Sequence, residues 1–199
     1  KFQHTTYLIS GLQKNGDVLR GEEMQAIGWN QVSAFMPRKC ILIIPGTHSK
    51  HLLIEDNQIV DFKTYMTGEL YELISQHSVL KSSIQLNTDW TSINQKAFAD
   101  GVKAAEQGNL GNLLFSVRAK SLEGSLSPSS AAFYLSGLLI GNELKESTSC
   151  PIVLCCSSKF DKMYQSAINL LPGNQQTIKL SPESVEDLVV WGQMALLER

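Results

Sequence analysis

The sequence predicts an α/β protein, because buried strands and helical segments alternate along it. One observation is a continuous apolar run at Cys40–Ile44 that ends in Pro-Gly, which is typical of a strand buried on both faces. A second is a similar run at Pro151–Cys156, which residues with helical spacing follow. A third is the helical spacing from about Asn87 to Glu146. The predicted order is a βα unit, a three-strand meander, a group of helices and two further βα units.

The first third of the chain contains the first βα unit and the meander. A strand is predicted at Tyr7–Leu12, and a loop between Gly16 and Gly21. After Glu22 the apolar residues recur with helical spacing until Pro37 ends the helix. The elements that follow are strands at Cys40–Ile44, Leu52–Ile54 and Ile59–Tyr65 and a helix at Gly68–Gln76.

The remaining elements are the helical middle and the last two βα units. Helices are predicted to begin near Thr91 and Leu110, and a loop at Gly124–Ser130 precedes a third helix at Ala132–Glu143. Elements of the last quarter are a strand at Pro151–Cys156, a helix from Ser157-Ser158, a strand at Gln176–Leu180 and a helix opened by Ser181-Pro182-Glu183.

The composition is that of a globular protein with a substantial core. The 199 residues include 17 basic and 19 acidic side chains, and 43% are hydrophobic. A net charge of −2 argues against nucleic acid or an anionic membrane as a partner, and no apolar run reaches the roughly 20 residues of a membrane span. Cys40, Cys150, Cys155 and Cys156 form no C-x-x-C pair, which argues against a disulfide or metal site and suits a reducing cytoplasm.

The segment Pro45-Gly46-Thr47-His48-Ser49-Lys50 is the most informative local feature. A Gly-Thr turn after a buried strand lets backbone N–H groups approach a phosphate, and Lys50 or His48 adds positive charge. The spacing differs from that of a Walker A motif. Without further context, such a hairpin is most often a plain turn and its lysine a solvated charge.

A second candidate site is Arg20-Gly21-Glu22-Glu23, where a loop enters a helix. The helix dipole favours acidic residues in a first turn, which explains Glu22 and Glu23 without any function. The same position suits a carboxylate base that is held ionised, beside an arginine that can bind a carboxylate substrate through two hydrogen bonds.

Two other helix starts are weaker candidates. Ser157 and Ser158 follow a buried strand, where open α/β sheets bind nucleotides, although most such serines are only caps. Thr67, two residues before Glu69, either caps its helix or contacts a substrate hydroxyl.

Small residues interrupt the predicted helix at Ala132–Glu143. Ser136, Gly137 and Gly141 each lower its stability. Such residues usually allow another backbone or a ligand to come close, and the sequence leaves these two explanations open.

Six blocks of the sequence, in this order, resemble the 2-dehydro-3-deoxygalactonokinase family. They are Asp17–Gly28, Ile44–Lys50, Asp61–Leu70, His77–Leu80, Leu114–Ala119 and Leu135–Glu143. The resemblance implies a ribonuclease H-like fold of the actin-like and hexokinase-like sugar kinases. It also implies transfer of the γ-phosphoryl group of ATP, with Mg²⁺, to the 6-hydroxyl of 2-dehydro-3-deoxy-D-galactonate in galactonate catabolism.

The resemblance also implies a role for each candidate residue. Glu22 or Glu23 would take the proton from the sugar hydroxyl. The implied contacts are Gly46, Thr47, His48 and Lys50 for phosphate, Ser136, Gly137, Gly141, Ser157 and Ser158 for the nucleotide, and Arg20, Thr67 and Glu69 for the sugar acid. No metal ligand is assigned within this sequence.

The sequence departs from the kinase pattern in two places. Cys155-Cys156-Ser157-Ser158 stands where the superfamily usually has a glycine pair, so nucleotide contact there would shift to the serine hydroxyls and the helix N-terminus. The Asp-x-Gly-Thr turn of the amino-terminal lobe is absent. We therefore expect residues 1–199 to be the carboxy-terminal part of such a kinase. The alternative is a non-catalytic fragment that binds a sugar acid or a partner, and a homodimer is one candidate assembly.

Overall fold

A computed structural model of the chain describes residues 8–32, 37–147, 150–156, 158–172 and 176–198. The strands in these ranges are β1 (Leu12–Lys14), β2 (Asp17–Leu19), β3 (Lys39–Ile44), β4 (Ser49–Glu55), β5 (Gln58–Tyr65), β6 (Ile152–Leu154) and β7 (Thr177–Lys179). The α-helices are α1 (Glu22–Val32), α2 (Thr67–His77), α3 (Ser92–Gln107), α4 (Leu110–Leu122), α5 (Pro128–Leu144), α6 (Ser158–Ile168) and α7 (Pro182–Leu197). A 3₁₀ helix occupies Val79–Ser83.

The fold is organised around a five-stranded mixed sheet with the strand order β5-β4-β3-β6-β7. Strands β3, β4 and β5 are antiparallel neighbours, which confirms the predicted meander. Strand β6 lies parallel to β3, and β7 lies parallel to β6. The mixed α/β architecture predicted from the sequence is therefore confirmed.

Helices pack on both faces of this sheet. On one face Ile43 and Leu154 join a core with α3, α5 and α6. On the other face Leu42 and Val153 join a core with α1 and α7. Because successive side chains of a strand point to opposite faces, the continuous apolar run of β3 supplies both cores.

Helices α3 and α5 cross in close contact at glycines. A Cβ atom on Gly137 would overlap the carbonyl oxygen of Phe98 and lie 3.0 Å from the backbone nitrogen of Val102. A Cβ on Gly141 would lie 2.9 Å from the Cα atom of Val102. The two helices can approach this closely only because neither position has a side chain. Of the two explanations that the sequence left open, the structure shows approach of another backbone at Gly137 and Gly141.

The amino-terminal strand differs from the prediction. Within the described residues 8–11 there is no strand, and the segment predicted at Tyr7–Leu12 contributes only its last residue to β1. Strands β1 and β2 instead form a hairpin of their own, so part of the predicted loop before Gly21 is strand. The turn is Asn15-Gly16, with φ angles of 39° and 83°. Asn-Gly favours such a tight hairpin turn because both residues tolerate positive φ.

Several other boundaries differ from the predicted ones. Strand β4 begins at Ser49 rather than Leu52, because its first residues pair with the end of β5. Helix α5 begins at Pro128 rather than Ala132, because Ser127 caps it and proline suits a first helical turn. Helix α1 begins as predicted, whereas its predicted end falls on residues 33–36, outside the described ranges. No helix in the described ranges is both long and apolar enough to span a membrane.

Candidate functional site

A cavity of about 510 Å³ lies between the β3–β4 turn and helices α2, α5 and α6. Four candidate residues from distant parts of the sequence line it, namely Gly46, Thr47, Thr67 and Ser136. Most other lining residues are apolar or aromatic, and Tyr164 of α6 is among them. An apolar cavity with a few polar groups at defined places is typical of a small-molecule site.

The β3–β4 turn is held against the first turn of α2. The backbone N–H of Glu69 donates a hydrogen bond of 3.0 Å to the carbonyl oxygen of Thr47. A Cβ atom on Gly68 would lie 2.6 Å from the carbonyl oxygen of Gly46. His48 Nε2 and Glu69 Oε2 are 2.5 Å apart at the partly exposed rim. The close approach of these two segments therefore requires glycine at position 68.

Gly68→Ala is expected to lower the free energy of unfolding by about 1–3 kcal/mol, the usual cost of overpacking. The added methyl group would meet backbone atoms of Gly46 and Thr47 at 2.6–2.7 Å, so the turn or the helix must move. Urea denaturation measures the effect. The control is Gly111→Ala on α4, where a Cβ would meet only the Asn109 side chain, at 3.2 Å. Equal stability of Gly68→Ala and wild type would contradict this packing.

The other candidate group lies at the start of α1, on the opposite face of β4 from the cavity. Glu22 Oε1 is 3.7 Å from Lys50 Nζ, and Glu22 Oε2 accepts a hydrogen bond from the backbone N–H of Arg20 at 3.1 Å. Glu23 accepts one from the N–H of Gly21 at 2.8 Å and is only 4% exposed. The Glu22 side chain is 29% exposed, so a ligand can reach its carboxylate.

The nucleotide-side candidates on α5 are divided between the cavity and the contact with α3. Ser136 lines the cavity, whereas Gly137 and Gly141 face α3. Ser157 lies outside the described residues. Ser158 begins α6 directly after β6, which is where the sequence predicts this helix to begin.

A buried polar cluster behind the cavity escapes the sequence analysis. Its centre is Glu143, near the end of α5 and only 1% exposed. Glu143 Oε1 accepts hydrogen bonds from Ser49 Oγ at 2.6 Å and from His51 Nε2 at 2.8 Å. Glu143 Oε2 accepts one from the Tyr164 hydroxyl at 2.8 Å. Ser147 Oγ lies 2.9 Å from the other ring nitrogen of His51 and completes the cluster.

Hydrogen bonding sets the protonation states in this cluster. Burial alone would raise the pKa of the Glu143 carboxyl, but hydrogen bonds from His51, Ser49 and Thr67 and the charge of His51 together lower this pKa below its ordinary value. Burial and the neighbouring Glu143 carboxylate raise the pKa of Tyr164 well above its ordinary value. Glu143 is therefore an ionised acceptor, and Tyr164 is a protonated donor.

One sequence signal could have identified this cluster. Glu143 is the only charged residue among the 17 of α5, an otherwise apolar and largely buried helix. A buried carboxylate is unfavourable unless it is paired or hydrogen-bonded. A lone charge in such a helix therefore predicts partners on neighbouring elements, although it does not identify them.

Comparison with known proteins assigns the chain to a family. Residues 3–190 match the family model described as 2-keto-3-deoxy-galactonokinase. The 2-dehydro-3-deoxygalactonokinase of Escherichia coli (strain K12) is 32% identical over 182 residues, which are 87% of this chain and 54% of that protein. A Rhizobium meliloti (strain 1021) protein described as "Probable 2-dehydro-3-deoxygalactonokinase DgoK1" is 36% identical over 135 residues, 66% of this chain and 43% of that protein.

A solved structure agrees with these sequence matches. It is a crystal structure described as "a putative 2-dehydro-3-deoxygalactonokinase protein from Sinorhizobium meliloti", with a TM-score of 0.75 and 30% sequence identity. The likeness covers 90% of this chain and 59% of that one. The chain spans about half the length of the curated relatives that it matches. The family model extends over nearly the whole sequence, and the chain belongs to the 2-keto-3-deoxy-galactonokinase family.

Proposed function

We propose that the protein containing this chain phosphorylates 2-dehydro-3-deoxy-D-galactonate at its 6-hydroxyl, with ATP as the phosphoryl donor. The names of the relatives support the substrate. The observation that carries the proposal is the position of the β3–β4 turn. Gly46 and Thr47 line one end of the cavity, and Lys50, three residues after Thr47 in the same hairpin, lies 3.7 Å from Glu22.

ATP would bind with its nucleoside in the cavity and its phosphates towards the Gly46-Thr47 turn. Apolar and aromatic walls suit a purine, and Thr67 and Ser136 place two hydroxyl oxygens on the lining of the cavity. Backbone N–H groups of the turn and the positive end of the α2 dipole suit phosphate.

The sugar acid would bind at the start of α1. Glu22 is assigned as the general base that takes the proton from the 6-hydroxyl while the hydroxyl oxygen attacks the γ-phosphorus and ADP leaves. Lys50 Nζ lies 3.7 Å from the Glu22 carboxylate, and Arg20 at the same helix start suits the carboxylate of the substrate. Most of the rate enhancement would come from positioning and from neutralisation of phosphate charge.

The proposal includes Mg²⁺, which would bind together with ATP. When bound, it would neutralise charge on the phosphates. Among the described residues no group of three or more His, Cys, Asp or Glu side chains could hold a metal ion. The roles assigned to the residues above do not depend on it.

We further propose that the fold is that of the ribonuclease H-like, actin-like sugar kinases, and that the chain forms the carboxy-terminal part of a two-lobed enzyme. The mixed sheet, with its antiparallel meander followed by two parallel βα units, supports this assignment. So does the TM-score of 0.75 to a structure of which the chain covers 59%.

The test is a phosphoryl-transfer assay on the protein expressed from the complete coding sequence that contains this chain. ADP formation is measured with ATP and 2-dehydro-3-deoxygalactonate, and with the gluconate epimer as matched control. We expect ADP formation with the galactonate derivative, and a phosphorus-31 resonance of the product that couples to the C6 protons. A folded protein that binds ATP but transfers nothing to this acid would overturn the proposal and favour the non-catalytic alternative.

A further inference from the structure

A single carboxylate connects the β3–β4 turn and the three helices that line the cavity. Glu143 belongs to α5, which supplies one wall of the cavity. It accepts hydrogen bonds from Ser49, the first residue of β4 after the turn, and from Tyr164 of α6. Thr67, the first residue of α2, also forms a side-chain hydrogen bond with it. The turn, α2 and α6 are thus joined to α5 at one point.

The partners of Glu143 stand between it and the cavity. Thr67 and Tyr164 line the cavity themselves, whereas Glu143 does not. Ser49 is fully buried and follows the Thr47-His48 segment directly, so its position determines where the turn ends. A change at Glu143 therefore reaches the cavity through these side chains, since Glu143 itself does not line it.

The strength of this connection comes from charge and burial. Hydrogen bonds to an ionised carboxylate are stronger than neutral ones, and they are not weakened by water at a site that is 1% exposed. A buried donor that loses its acceptor must find another partner or stay unpaired, which is unfavourable. Removing one acceptor oxygen would therefore replace the charge-assisted bond of the Tyr164 hydroxyl by a weaker neutral one, with the new NH₂ group as donor or with Ser49 Oγ at 3.5 Å. We expect the contact between α6 and α5 to loosen as a result.

We propose that Glu143 is a positioning residue for the nucleotide. It holds the β3–β4 turn, α2 and α6 at the separation that fits ATP, without touching the ligand. This inference rests on the proposed function, which assigns ATP to the cavity.

The test compares Glu143→Gln and Tyr164→Phe in the protein expressed from the complete coding sequence. Glutamine keeps one acceptor oxygen but replaces the other by an NH₂ group, which cannot accept from Tyr164. We expect each variant to raise the KM for ATP about 10-fold, the effect of losing one charge-assisted hydrogen bond. We expect kcat and the KM for the sugar acid to change much less, because Glu22 and Arg20 form none of the hydrogen bonds of Glu143.

Two further variants separate positioning from a general loss of stability. The double variant should have the ATP KM of Glu143→Gln alone, because both changes act through the same hydrogen bond. The matched control is Glu146→Gln, three residues further on, where an exposed carboxylate pairs with Lys63. It should leave the ATP KM unchanged.

The outcomes distinguish this proposal from the assignment of ATP itself. If the wild type uses ATP and both single variants keep its KM while they melt at lower temperature, Glu143 has only a structural role and the inference is overturned. If Glu143→Gln does not fold, Tyr164→Phe decides the question, because it removes one hydroxyl and keeps the ring. A wild type that neither binds nor uses ATP would overturn the proposed function and this inference together.

Discussion

Replacing Glu22 with glutamine is expected to lower kcat by about 10²–10⁴-fold, the usual contribution of a general base. The amide has nearly the same shape as the carboxylate but cannot take the proton from the sugar hydroxyl. The affinity for ATP should stay close to wild type, because Glu22 is not among the residues that line the cavity. Steady-state kinetics measure the first quantity, and calorimetric titration with ATP measures the second.

Glu23→Gln is the matched control for this prediction. The Glu23 carboxylate accepts a hydrogen bond from the N–H of Gly21 and is almost fully buried, so glutamine can keep that acceptor. We expect kcat of Glu23→Gln to remain near wild type. Thermal denaturation of Glu22→Gln is needed as well, because Lys50 is buried and would lose its ion-pair partner. A folded Glu22→Gln variant with normal turnover, beside an inactive Glu23→Gln, would transfer the role to Glu23.

Gly137→Ala is expected to lower the free energy of unfolding by about 3 kcal/mol, the upper end of the range for an overpacked core. The added Cβ would overlap the carbonyl oxygen of Phe98, a residue whose side chain is fully buried in the core on the α3, α5 and α6 face. Backbone cannot rotate away as a flexible side chain can, so α3 and α5 would have to separate along their contact. Urea denaturation followed by circular dichroism measures the loss.

Gly111→Ala again provides the comparison for Gly137→Ala. It also replaces a helical glycine, but its Cβ would meet only the side chain of Asn109. We expect it to be neutral or to stabilise the protein by up to about 1 kcal/mol, because alanine favours a helix over glycine. If the two variants were equally stable, α3 and α5 would have to lie further apart than the structure places them.

Much of the fold could be predicted because the signals are local. The apolar run at Cys40–Ile44 identifies a strand buried on both faces, and the structure places it at the centre of the sheet. The hairpin at the amino terminus could not be predicted in this way. Its strands have three residues each, which is too short for an alternating pattern, so the Asn15-Gly16 turn was its only clear signal.

The candidate site could be predicted only in part. The sequence identifies Gly46, Thr47, Thr67 and Ser136 individually, and the structure brings them to one cavity. The sequence does not identify Glu143 as a site residue. Its hydrogen bond to Ser49 joins positions that are 94 residues apart, and no residue spacing in the sequence indicates such a contact.

Apart from the amino-terminal hairpin, the element types, their order and the family follow from the sequence alone, since hydrophobic period, turn chemistry and motif blocks depend on residues that are neighbours in the chain. The tertiary structure was needed to show that Gly137 serves the contact between two helices and that Glu143 joins four elements. Both facts depend on which faces of distant elements meet in the core. Close packing determines this for the chain as a whole, and no single segment contains that information.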